Sequence, residues 1–135
     1  MKVFIDTGAF IALTDTNDKY HRAAKEFYYQ IKNSGSKFLT TNFVICETIN
    51  YLRARISHHI AVFFRENLYK SSIVEVIFVS SPMEEAAFQI FKKYDDKDFS
   101  FTGCTSFSVM RSKRISRVFA FDKHFEQYGK FIRLP

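Results

Sequence analysis

Short apolar runs rich in β-branched and aromatic residues alternate along this chain with longer stretches of helical periodicity, and that alternation constrains the fold more than any other feature. "KVFI" (2–5), "KFLT" (37–40), "IVEVIFV" (73–79) and "RVFAF" (117–121) read as strands, and "KFIRL" (130–134) can close the sheet. Between them lie a helical region after Gly8, "DKYHRAAKEFYYQIKNSG" (18–35) stopping at Gly35, "TNFVICETINYLRARI" (41–56) capped by Thr41 or Asn42, and "HHIAVFFRENLYK" (58–70) after a break at Ser57. "PMEEAAFQIFKKY" (82–94) opens on a proline with acids in its first turn, and an acidic loop, "DDKDFSFT" (95–102), leads into a short helix, "CTSFSVMRSK" (104–113). Strands separated by helices need crossover connections. The expectation is therefore one α/β domain over residues 1–135, with a mainly parallel sheet of four to five strands covered on both faces in an α/β/α arrangement.

Composition narrows the class further. With 47% hydrophobic and 25% charged residues the chain has ordinary globular composition, and its 17 Phe and seven Tyr fall mostly inside apolar runs, so they read first as core filling. The net charge of +6 makes an acidic partner plausible, with nucleic acid first in line. Cys46 and Cys104 both sit in apolar helical contexts and read as buried thiols of a reducing compartment; no spacing argues for zinc. The N-terminus does not read as a signal peptide and no stretch approaches a membrane span, so a cytoplasmic protein is expected.

In open α/β sheets ligands bind beyond the carboxyl ends of the strands, which makes acids there worth counting. "VFI" ends in Asp6, "VFAF" ends in Asp122, and Glu47 lies on the second turn of the helix after "KFLT", on a mostly apolar face. Each has a bland reading: Asp6 as a helix N-cap, Asp122 as a turn acid, Glu47 as a side chain escaping to solvent or paired with Arg53 or Arg55. Together they place three carboxylates from distant parts of the chain at one sheet edge. Such a group repels itself unless a cation or shared protons hold it, and oxygen-only ligation suits a hard ion such as Mg²⁺ or Mn²⁺. In a basic protein that combination points to phosphodiester chemistry.

"FIDTGAFIAL", "TTNFVICETINYLR", "DDKDFSFTGCTSFSVM" and "VFAFDKHFEQYG", in this order and spanning nearly the whole chain, resemble the four acidic motifs of PIN-domain ribonucleases, close to the VapC-type toxins of bacterial toxin–antitoxin pairs. The resemblance implies a compact α/β/α domain that gathers acids around Mg²⁺ or Mn²⁺, cleaves single-stranded or loop RNA, and is silenced by a cognate antitoxin inserted into the active-site groove; the family commonly forms homodimers. Residue by residue, it makes Asp6 the first acid, Glu47 the second and Asp122 the last, with Thr7, Asn42 and Thr102 at polar positions around the metal. Asp98 matches another commonly acidic position that is not expected to reach the metal. The third acid departs from the pattern: "SFTGC" puts Gly103 where an aspartate ligand belongs. That leaves open an engineered inactive form, a mutation selected in a host, a naturally degenerate copy, or a harmless glycine at a helix start.

"RSKRISR" (111–117) carries Arg111, Lys113, Arg114 and Arg117, which read either as phosphate contacts for RNA or as a solvated basic face. His58, His59 and His124 read as surface or capping residues. The leading expectation is a metal-dependent toxin-type endoribonuclease. The alternative is a non-catalytic RNA- or protein-binding module on a degenerate copy of the same fold, for which Gly103 is the best support. A phosphotransfer receiver is disfavoured, since the first strand offers one acid rather than a pair.

Overall fold

The computed structural model describes residues 1–135. Val3, Phe4 and Ile5 of β1 (Lys2–Ile5) are completely buried, as a strand covered on both faces must be. Four further strands complete the sheet: β2 (Lys37–Thr41), β3 (Val74–Ile77), β4 (Arg117–Phe119) and β5 (Ile132–Leu134). Their order is β3-β2-β1-β4-β5 and every neighbouring pair is parallel, with Val3 beside Phe38, Ile5 beside Phe119, Thr40 beside Val76 and Val118 beside Arg133. The chain therefore winds outward from β1 in one direction, then returns to β1's other side and winds outward again.

Seven helices make the connections: α1 (Thr7–Thr14) and α2 (His21–Asn33), α3 (Asn42–Arg55) and α4 (His58–Lys70), α5 (Ser81–Lys93) and α6 (Phe101–Ser112), and α7 (His124–Tyr128). Right-handed crossovers from a sheet in this order put α1 to α4 on one face and α5 to α7 on the other. The aromatic side chains divide accordingly. Phe27 meets Phe119 edge-on at 4.8 Å and Tyr28 stacks on Phe38. Phe107, fully buried, stacks on Tyr128 at 4.6 Å and meets Phe99 and Phe125 edge-on. Core filling therefore accounts for much of the Phe and Tyr content, although Phe63, Phe78, Phe88 and Phe91 remain exposed.

Local chemistry explains where the helices start and stop. Thr41, Ser57, Ser80 and Ser100 each accept a hydrogen bond from an amide of the first turn of α3, α4, α5 and α6 respectively. Of the two caps the sequence offers for α3, Thr41 serves. Gly35 follows α2 at φ +78° and Gly129 follows α7 at φ +83°, conformations that suit glycine. The helix expected over 18–35 begins only at His21, because the Asp18 carboxylate accepts from the Tyr20 amide and folds residues 18–21 into a turn. Conversely α6 begins at Phe101 rather than 104, since Ser100 caps it. The five-residue α7 was not expected from the sequence. Cys104 is buried as anticipated but Cys46 is exposed, because the helix face it occupies points away from the core; the expectation of two buried thiols is corrected for Cys46.

Candidate active site

The winding direction reverses between β1 and β4, and the loops leaving the ends of those strands part at that point, opening a crevice. Asp6 follows β1 immediately, and its amide donates to the Phe119 carbonyl of β4 at 3.1 Å, tying the two strand ends together. Its backbone occupies the N-cap position of α1, with the carbonyl accepting from Ala9 and Phe10, yet its side chain makes no capping hydrogen bond. The bland reading of Asp6 as a cap is thus true of its backbone, while its carboxyl makes no capping hydrogen bond and feels the Thr7 and Gly8 amides only as a pull toward ionisation.

Asp6 is buried, at 9% exposure, and its carboxyl has no salt-bridge partner. Burial pushes its pKa from the ordinary 3.8 up to about 7; the Thr7 amide pulls the other way, repulsion from Glu47 and Asp122 adds to the rise, and the Gly8 amide opposes it. Glu47 and Asp122 thus both act on Asp6 through their charge. No three His, Cys, Asp or Glu side chains, however, approach closely enough to form a ready-made metal cluster.

Glu47 is half-buried on α3. It lines a cleft of about 460 Å³ with Asn42, Phe43, Cys46, Asn50 and Thr102. Asn42 is partly engaged, its side-chain oxygen accepting from the Val79 amide at 2.8 Å, which anchors the β3–α5 connection beside the cleft. Cys46 and Asn50 were missed in the sequence; their signal was helical spacing, one and three residues from Glu47 and four and eight from Asn42. Asp122 is exposed, with one carboxylate oxygen accepting from the His124 amide at 2.9 Å and the other 3.1 Å from His124 Nδ1. His124, read from the sequence as a surface or capping residue, therefore orients Asp122.

Gly103 lies in the first turn of α6, next to Thr102 of the same cleft, and donates its amide to Ser100 Oγ at 2.9 Å. A Cβ built on Gly103 would meet only that same Ser100 oxygen, at 3.2 Å, so a side chain needs a shift of a few tenths of an ångström from one small group. Thr7 is buried with its hydroxyl lacking any partner. Asp98 is exposed and lies in a different hollow, with Phe88, Phe91 and Lys97. The basic segment does not form one patch beside the acids: Arg117 sits at the amino end of β4, its guanidinium against Met1 Sδ, while Lys113 and Arg114 are exposed on the turn after α6.

The donors are hard oxygens, Asp6 and Glu47 have no cationic partner, and the Thr7 hydroxyl is buried and unsatisfied. The residues therefore suit a hard divalent ion in kind. Gly103 adds no side-chain oxygen to them.

The chain matches the family model of the PIN domain over residues 3–131. It is 33% identical over 127 residues to the 23S rRNA-specific endonuclease VapC20 of Mycobacterium tuberculosis, covering 94% of each chain. The crystal structure of the Mycobacterium tuberculosis VapC20, described as a sarcin-ricin loop cleaving toxin, superposes with a TM-score of 0.86 over 96% of both chains at 33% identity. A VapBC2 structure from Rickettsia felis, bound to a DNA fragment from its promoter, superposes with a TM-score of 0.74 over 99% of this chain and 98% of that one; at 9% identity it speaks to fold alone.

Proposed function

Since this chain belongs to the PIN-domain family, we propose that it is a toxin-type endoribonuclease whose scissile phosphate sits at the carboxyl end of β1, with Asp6, Glu47 and Asp122 as its metal-binding acids. The observation that carries this reading is the buried Asp6 carboxyl, raised to about 7 by burial and by two further carboxylates, with no cation of the protein beside it. A structural role would favour a partner; a vacant counter-charge favours a ligand that brings one.

Mg²⁺ or Mn²⁺ bound by these acids would supply activation of a water and neutralisation of charge on the phosphodiester. The chain's own residues do the rest. Asp6 presents a buried carboxyl at the end of β1, Glu47 faces the cleft from α3, and His124 fixes the rotamer of Asp122. Thr7, Asn42 and Thr102 add neutral oxygens around the acids. The substrate class is RNA, with a ribosomal RNA loop as the first candidate because the 33%-identical relative is named as specific for 23S rRNA and its crystal structure as that of a sarcin-ricin loop cleaving toxin. The partner expected with it is a cognate antitoxin that holds it silent, and the toxin itself is a cytoplasmic homodimer.

In the present sequence Gly103 leaves this site inactive or nearly so, and the deficit is a single carboxylate. Gly103→Asp should restore Mg²⁺- or Mn²⁺-dependent RNA cleavage and toxicity in the absence of antitoxin, because the backbone is in place and a Cβ there requires only the Ser100 hydroxyl to give by a few tenths of an ångström. A further Asp6→Asn change should abolish both. A Gly103→Asp protein that stays inert toward ribosomal and loop RNAs with either metal, and leaves host growth untouched, would turn the reading toward a non-catalytic binding module.

A further inference from the structure

Away from the carboxylates, a cleft of about 920 Å³ runs between α5 and α6 and reaches Tyr128 at the end of α7 and Lys130 just beyond it. Three cations line it, Lys93, Arg111 and Lys130, and no Asp or Glu does. None of the three forms a salt bridge. Arg111 is held in place: its Nη1 donates to the Tyr128 hydroxyl at 3.0 Å, and the Tyr128 ring is buried and stacked on Phe107 and Phe131. The remaining guanidinium N–H groups stay free for an acceptor. An anchored arginine that shares one cleft with two unneutralised lysines and the Ser112 hydroxyl offers an anion several donors at once, which scattered surface charges do not.

Position decides which anion. Arg111 lies eight residues after Gly103 on α6, about 12 Å along the helix at 1.5 Å per residue. That separation is too large for a scissile phosphate at the acids and suits phosphates a few nucleotides away on the same strand. We propose that the Lys93–Arg111–Lys130 cleft is an RNA exosite that grips the phosphate backbone flanking the cleavage point. The proposal rests on the ribonuclease reading, and it draws Lys93 and Lys130, distant in sequence, together with Arg111, while leaving Lys113, Arg114 and Arg117 outside. The exosite selects for length and shape of RNA, not for base sequence.

The test uses the full chain and fluorescence anisotropy with a 20-nucleotide single-stranded RNA and with a trinucleotide, across 50–200 mM salt. Lys93→Gln/Lys130→Gln removes two exposed charges without touching the Arg111–Tyr128 bond. Each phosphate contact contributes a log–log salt slope of about 0.7 on single strands, so the variant should flatten the slope for the long RNA by about 1.4, equivalent to about sevenfold less loss of affinity over that salt range. Trinucleotide binding should not change, and Lys32→Gln/Lys70→Gln, which removes equal charge elsewhere, should leave the long-RNA slope as it was. An unchanged slope in the cleft variant, equal flattening by the control, or parallel weakening of the trinucleotide each overturns the exosite while leaving cleavage by Gly103→Asp to decide the ribonuclease reading separately. With polyglutamate run as a second probe, its loss from the cleft variant while RNA binding stays intact would overturn the exosite in favour of an acidic protein ligand, and a parent that binds no RNA at any salt would overturn the exosite while Gly103→Asp cleavage still decides the ribonuclease reading.

Discussion

Asp6→Asn should stabilise the metal-free protein at neutral pH, and the amount is set by how costly the buried carboxylate is. In the unfolded chain Asp6 ionises around its ordinary 3.8, whereas in the folded chain it holds its proton up to about 7. Between these values the native state binds more protons than the unfolded state, so stability falls as pH rises through the window and is constant on either side. A rise from 3.8 to about 7 corresponds, at 1.36 kcal/mol per pH unit, to about 4 kcal/mol of stability lost between pH 4 and pH 7. Asn keeps the shape and removes the charge. Its advantage over the parent should therefore be near zero at pH 4 and grow to about 4 kcal/mol at pH 8, less whatever the Thr7 and Gly8 amides regain from an uncharged acceptor. Urea denaturation at several pH values in the presence of EDTA measures this directly. A parent and variant whose stabilities run parallel from pH 4 to pH 8 would refute the claim that Asp6 is a buried, uncompensated acid.

Other outcomes follow from particular residues. Gly103→Asp should gain thermal stability with Mn²⁺ far more than the parent does, by about 2.7 kcal/mol at a metal concentration a hundredfold above its Kd; scanning fluorimetry with equal metal responses in the two proteins would count against Gly103 as the missing ligand. Ser100→Ala should cost about 1 kcal/mol, because it strips the cap from α6; an unaltered urea midpoint would show that the cap contributes nothing. Under native conditions at pH 7.5 iodoacetamide should label Cys46 alone, since Cys104 is buried with its thiol pushed up to about 11, and mass spectrometry finding Cys104 modified without unfolding would contradict that burial.

Much of the molecule was written in short-range pattern. The β-rich runs, the serine and threonine caps and Gly35 depend on residues a few positions apart, and the strands and most helices follow from them. The acids at strand ends were equally visible: Asp6 and Asp122 punctuate apolar runs, and Glu47 interrupts an apolar helix face. What periodicity could not supply was which strands lie side by side. The order β3-β2-β1-β4-β5 puts β4 against β1 although more than a hundred residues separate them, and only that pairing sets Asp6 and Asp122 at one crevice. The helix α7 was hidden because five residues carry too little periodicity to stand out. Tertiary packing also decided the charge states and surfaces: it buried the Asp6 carboxyl, turned Cys46 outward, set His124 against Asp122, and split a basic sequence segment so that Arg111 joined Lys93 and Lys130 in one cleft while Arg117 went to the opposite end of its strand. Local preference depends on neighbours along the chain, whereas burial and field depend on everything within a few ångströms in space, and that neighbourhood exists only once the sheet has closed.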